Sequence, residues 1–201
     1  MYQTIKRSFP NDVVLHNLYF ETGNYIEPLK IYESLQIDFI MICSEGVFCV
    51  EAKAISDDNY SLLGGATAKK WTIKTSHGTN TETNGVKQNH KHAAFLEQVL
   101  EFEKIKCPVY KITVIGIIQR SKIKVQEYID DNLVSEGELI DRIEYIKKRN
   151  KSVKIDVDEI KNILEDWKCE IEGIDKLHMV YVRNIKNKKL PKRCKKVLRQ
   201  L

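Results

Sequence analysis

The chain has 201 residues, 42% of them hydrophobic and 30% charged, with only nine glycines and four prolines. That composition supports one domain around a single sizeable core and excludes collagen-like, low-complexity and largely disordered chains. The net charge of +5 is uneven: nine of the 33 basic residues, and no acid, fall in 183–201, so the rest of the chain carries −4. In chain order, residues 12–20 (DVVLHNLYF) predict a strand, and the polar stretch 21–34, with Gly23 and Pro28, predicts a loop. Residues 35–43 and 47–54 predict two largely apolar strands joined at Ser44-Glu45-Gly46, a hairpin covered on both faces. A loop over 55–68, a short strand over 69–75 and a second loop over 76–84 follow. Asn84 caps a helix over 85–104, whose Ala93, Leu96, Val99 and Leu100 recur at helical spacing. Residues 109–119 predict a strand. Capping boxes at Ser135/Glu138 and Asp156/Glu159 open helices to Arg149 and Cys169. Residues 177–183 read as a last strand, and Pro191 as the start of a basic helix. The order implies an α/β fold, an α+β sandwich with a mixed central β-sheet flanked by helices.

No apolar run is long enough for a membrane-spanning helix, and no secretory apolar region follows Met1. The five cysteines are widely spaced with no CxxC pair, which points to free thiols in a reducing, cytoplasmic setting.

Asp38, Glu51 and Lys53 interrupt strands that otherwise read as buried. Charges at such positions are paired or metal-bound. Glu51 and Lys53 share a strand face because side chains alternate. A two- or four-residue turn sets Asp38 opposite Glu51, so that the three groups converge; an unbulged three-residue turn sends Asp38 to the other face. Neighbouring carboxylates repel, which favours a divalent cation between them. Oxygen donors match Mg²⁺ or Mn²⁺, and the Ala52 carbonyl adds a ligand. Repulsion and burial are expected to raise a carboxyl pKa, with Lys53 opposing. Lys53 can hold a water against phosphorus or stabilise developing negative charge, which is equipment for phosphodiester hydrolysis. The competing reading is a Lys–carboxylate bridge that only neutralises the sheet.

Asp38, followed thirteen residues later by Glu51-Ala52-Lys53, resembles the PD-(D/E)XK nuclease core. VVLHNLYF (13–20), QIDFIMICSEGVFCVEAK (36–53) and NGVKQNHKHAAFL (84–96) together resemble the NERD, or nuclease-related, domain, with Trp71 and Gln88 in the family's Trp and Gln places. The resemblance spans about residues 10–120. It implies a restriction-endonuclease-like core, Asp38, Glu51 and the Ala52 carbonyl as metal ligands, and Lys53 as catalytic, with Gln88 in the same site. It divides the chain into a nuclease core, 1–130, and a C-terminal helical extension, 131–201, packed on the same domain. Two departures stand out. Asn84-Gly85 replaces the usual Asn-Pro, and the usual Gly-Glu helix before the first strand is missing, since Asp12 is the only acid ahead of Val13. Either the start is truncated or this member lacks that ligand, and this exact chain is expected to be a weak Mg²⁺- or Mn²⁺-dependent nuclease at best.

Nucleic acid, DNA rather than RNA, is the expected partner, with His90 and the tail residues Lys192, Arg193, Lys195 and Lys196 as phosphate contacts. His16 and His178 read as packed or hydrogen-bonded strand residues, and Trp167 as core. Two alternatives stand beside the enzyme: a nucleic-acid-binding module that does not cut, and an interaction domain using helices 135–169.

Overall fold

The computed structural model describes residues 1–54, 61–65, 68–116, 123–125, 132–151 and 153–186. The hairpin turn sets the geometry. Cys43 pairs with Gly46, leaving a two-residue Ser44-Glu45 connection between β2 (Ile31–Cys43) and β3 (Gly46–Lys53). Gly46 has φ +144, and a Cβ there would stand 2.7 Å from the Pro108 carbonyl oxygen, so the turn requires glycine. β1 (Val13–Ile26) adds antiparallel to β2. On the other side of β3, β7 (Val109–Ile115) and then β9 (Asn132–Ser135) add in parallel. The main sheet is therefore β1-β2-β3-β7-β9, mixed, with β3 at its centre. A second sheet has the order β6-β5-β4-β8, from β4 (Ser61–Gly64), β5 (Lys70–Thr75), β6 (Gly78–Thr83) and β8 (Ile123–Val125).

Alternation along β3 divides the core. Val47 and Cys49 face α2 (Gly85–Phe102), meeting Ala93, Leu96 and Leu100, and α4 (Val157–Trp167) adds Ile160 and Leu164. Phe48 and Val50 face the other side, against Ile5 of α1 (Tyr2–Ser8) and Leu139 and Ile143 of α3 (Leu139–Arg149). Truncating Leu96 or Ile143, each fully buried, to alanine costs about 2–5 kcal/mol. A third cluster joins Trp71 and Leu62 of the second sheet to Val86 of α2 and Ile115 of β7. The whole is an α+β sandwich with mixed sheets and flanking helices, consistent with a restriction-endonuclease-like core. Among the described residues no helix is long and apolar enough to cross a membrane.

Several segments depart from the sequence reading. The 21–34 stretch is not a loop: β1 and β2 continue as a paired ribbon to Ile26↔Ile31, with only the short turn Glu27–Leu29 between them. Both faces of the ribbon's outer end are partly solvated, so polar residues there do not signal a loop; Tyr25 and Tyr32 pair edge-to-face across it. Residues 78–83 are a strand, not a loop, its Thr-rich face exposed on an edge. Residues 61–64, inside the expected 55–68 loop, also pair as a strand. Residues 177–183 are helical, within α5 (Ile174–Lys186). Ile174, Leu177, His178, Tyr181 and Val182 are its less exposed positions, a 3.6-residue period that a seven-residue apolar run hides. The Ser135/Glu138 capping box stands in full, whereas at Asp156 only the N-cap half of the box is present. Glu138 accepts from the Ser135 amide at 2.8 Å, ahead of a single 3₁₀ turn, and Asp156 accepts from the Glu159 amide at 3.0 Å. The basic helix expected from Pro191 lies outside the described residues, as do 117–119 of the expected 109–119 strand.

Candidate active site

The site forms where β2 parts from β3. Their ladder stops at Phe39↔Val50, and continuing its register puts Asp38 opposite Glu51. At the same level the β1–β2 ladder omits the pair Asn17–Asp38, and Asn17 takes a left-handed φ of 54. Both strands change face there. Leu15, Leu18, Ile37 and Ile40 all belong to the core under α2, although 15 and 18, like 37 and 40, differ by an odd number. Asp38 sits in this break.

Its carboxylate replaces a strand. Alternate residues of β3 bond to β7, from the Val47 amide on the Pro108 carbonyl (3.0 Å) to the Gly116 amide on the Lys53 carbonyl (2.9 Å). The amide and carbonyl of Ala52 are thereby turned towards β2, and the amide donates to Asp38 Oδ2 at 2.8 Å. Burial raises the Asp38 pKa, and the negative charge of Glu51 raises it further. The Ala52 bond and the cationic Lys53 act against them.

Glu51 is almost fully buried, and two nitrogens approach its carboxylate. Lys53 Nζ lies 2.8 Å from Oε1, and His92 Nδ1 lies 3.2 Å from Oε2. The His92 contact lacks hydrogen-bond alignment, and neither of its atoms has another hydrogen-bond partner. Lys53 also donates to Gln88 Oε1 at 2.8 Å. α2 places Gln88 and His92 one turn apart on one face. Its N-cap, Asn84, accepts from the Lys87 amide at 3.1 Å and donates to the Ala68 carbonyl at 2.8 Å. One turn into the helix, buried Asn89 donates to the carbonyls of Cys49 (3.1 Å) and Ile112 (2.9 Å), locking α2 onto β3 and β7. Gly85 lets the Lys53 stem pass: a Cβ there would stand 3.1 Å from Lys53 Cγ and Cε and from Thr113 Cγ2.

A cleft of about 570 Å³ opens beside this cluster, lined by His16, Asn17, Asp38, Ala52, Lys53 and Glu136 among others. The structure brings Asp38, Glu51, Lys53 and Gln88 together, with Ala52 between them in the chain. It does not bring in His90, which is exposed on α2, two residues from His92 and on another face. His16 is a strand residue, paired with Phe39, but its side chain is exposed at the cleft and not packed in the core, its ring 4.3 Å from that of Tyr2. His178 meets Ser34 Oγ at 2.9 Å, but from a helix, not a strand. Lys192, Arg193, Lys195 and Lys196 lie outside the described residues. Sequence reasoning missed His92, Asn89 and Asn17. The signal for the first two was helical phase: His92 follows Gln88, and Asn89 follows Gly85, by four residues.

The donors are hard oxygens. Buried Glu51 Oε2 lacks a hydrogen-bond partner, and burial beside Glu51 disfavours ionisation of Asp38; a cation relieves both conditions. The residues therefore fit a hard divalent cation that keeps several waters. Among the described residues no group of three or more His, Cys, Asp and Glu side chains could enclose a metal ion. A protein-family model described as a nuclease-related domain (NERD) matches residues 2–116, from α1 to the end of β7 and more than half of the chain. No curated protein and no solved structure matches the chain.

Proposed function

Since the chain belongs to the nuclease-related domain family, we propose that it hydrolyses phosphodiester bonds of DNA, weakly and with a divalent cation, Mg²⁺ or Mn²⁺, at the cleft beside Asp38, Glu51, Lys53 and Gln88. The observation that carries this reading is the shared ammonium of Lys53, held at 2.8 Å by both Glu51 and Gln88 at the mouth of a cleft. A sheet-neutralising bridge needs no second partner from α2.

Asp38 and Glu51 would hold the cation, with the Ala52 carbonyl beside them. When bound, it polarises a phosphoryl oxygen and acidifies a water. The rest falls to the chain. Lys53 brings a positive charge to the phosphate, where it stabilises charge that grows during cleavage. Gln88 keeps the Lys53 stem extended towards the cleft. Asp38, bonded to the Ala52 amide, cannot swing away from the strand that carries Glu51. Divalent dependence, the DNA substrate and these residue roles belong to the proposal.

A second reading, a nucleic-acid-binding module that does not cut, is favoured by one feature: α1 has no acidic residue. One experiment separates them. The full chain is incubated with linear and supercoiled DNA in Mg²⁺, Mn²⁺ or chelator, beside Lys53→Ala and Glu51→Ala. The nuclease reading expects metal-dependent cleavage that falls by about a hundredfold or more in Lys53→Ala. DNA binding without any cleavage supports the second reading. Cleavage that persists in chelator, or is unchanged in both variants, rejects the site.

A further inference from the structure

Glu51 enters the site with its two oxygens held differently. Oε1 is tied to Lys53, but Lys53 is shared with Gln88 and lines the cleft. Once Lys53 turns to a phosphate, its hold on Oε1 weakens. A terminal carboxylate torsion is broad and supplies little restraint of its own. The nitrogen that then remains at Glu51 is His92 Nδ1, 3.2 Å from Oε2. His92 is nearly as buried as Glu51, and it stands on a helix locked to the sheet by Asn89 three residues earlier. Contacts of this kind are often misaligned before a ligand arrives and tighten afterwards. A small rotation of either group closes this one.

We propose that His92 is a positioning residue for Glu51, fixing the carboxylate through Oε2 so that it is set to hold a divalent cation while Lys53 is free to meet the phosphate. The inference rests on the metal-site reading above. It assigns His92 no proton transfer and no contact with substrate. Partners of ligating carboxylates matter for affinity: removing one typically costs 10–100-fold in metal binding.

The test measures Mn²⁺ binding to the full chain at one fixed pH, without DNA, by the loss of the free Mn²⁺ resonance signal. The chains compared are the native one, His92→Phe, His92→Asn and Glu51→Ala, each first shown to be folded by a cooperative thermal melt. Phe keeps a ring and removes the donor. Asn loses the ring and keeps a nitrogen near the place of Nδ1. The expected result is Mn²⁺ affinity weakened about tenfold or more in His92→Phe and restored to within about threefold of native in His92→Asn. Native affinity in His92→Phe, together with lost binding in Glu51→Ala, overturns the His92 role and leaves the metal site standing. An Asn variant as weak as the Phe variant also overturns it, because ring packing then explains the loss. Native affinity in Glu51→Ala, or no binding by the native chain, removes the metal site itself.

Discussion

Asp38 carries two duties that conflict. It caps the Ala52 amide, and it carries a negative charge that burial and Glu51 oppose. A carboxyl whose pKa is raised on folding stabilises the fold while protonated. That contribution is complete below its unfolded pKa and is lost as pH rises through the folded one. The metal-free protein is therefore expected to lose stability between the ordinary aspartate range, near 3.8, and the raised pKa of Asp38. Asp38→Asn keeps an oxygen for the Ala52 amide and removes the charge. Metal-free Asp38→Asn should melt higher than native protein at neutral pH, and the gap should close as pH falls below 3.8. Added Mg²⁺ or Mn²⁺ should raise the native melting temperature and leave the variant's unchanged. A variant that melts lower at neutral pH would show that burial of this charge is not opposed in the way described.

At the scale of elements, α2 does the positioning. Asn89 is its rivet, with one amide group on two strands. Asn89→Ala should cost about 1–3 kcal/mol in denaturant unfolding, because it strips a buried donor from two carbonyls. Cleavage should fall further than stability alone requires, since Gln88 and His92 flank the same turn. The helix itself was legible: Asn84 is a good cap, and Ala93, Leu96 and Leu100 keep helical phase. The pairing of Asp38 with the level of Glu51 was legible too, because two residues in the turn fix the register. His92 was harder to read. Compared with its near neighbour His90 it looks like half of a poor chelate, and only its phase with Gln88 places it inward. The left-handed Asn17 left no pattern, since its conformation answers a change of face in two strands at once. α5 was misread because Leu177–Arg183 is apolar enough for either a strand or a half-buried helix; only the partner surface, the β1–β2 ribbon, decides. Tyr181 secures that choice, since its hydroxyl donates to the carboxylate of Glu33, which also accepts from Thr22 and Asn24.

Over the whole molecule, charge is divided between a slightly acidic body and a basic C-terminus. The body's own field does not draw a polyanion to a site built on two carboxylates. Attraction has to come from local cations and from the basic segment. Replacing Lys192, Arg193, Lys195 and Lys196 by glutamine should therefore weaken DNA binding and flatten its dependence on salt, by about 0.9 in logarithmic slope for each phosphate that the variant no longer neutralises. Fluorescence anisotropy over a salt series measures this, and an unchanged slope would leave the segment as plain solvated surface. This division of charge can be counted in the sequence, whereas the cleft depends on several elements meeting. The break in the sheet that creates the cleft has a spectroscopic consequence. Within β3 the Ala52 amide answers to a carboxylate rather than to a neighbouring strand. Its proton resonance and its rate of exchange with solvent thus report the state of Asp38. An isotope label at that single alanine turns the backbone into an indicator that registers a proton or a cation arriving at the site, whether or not any DNA is cut.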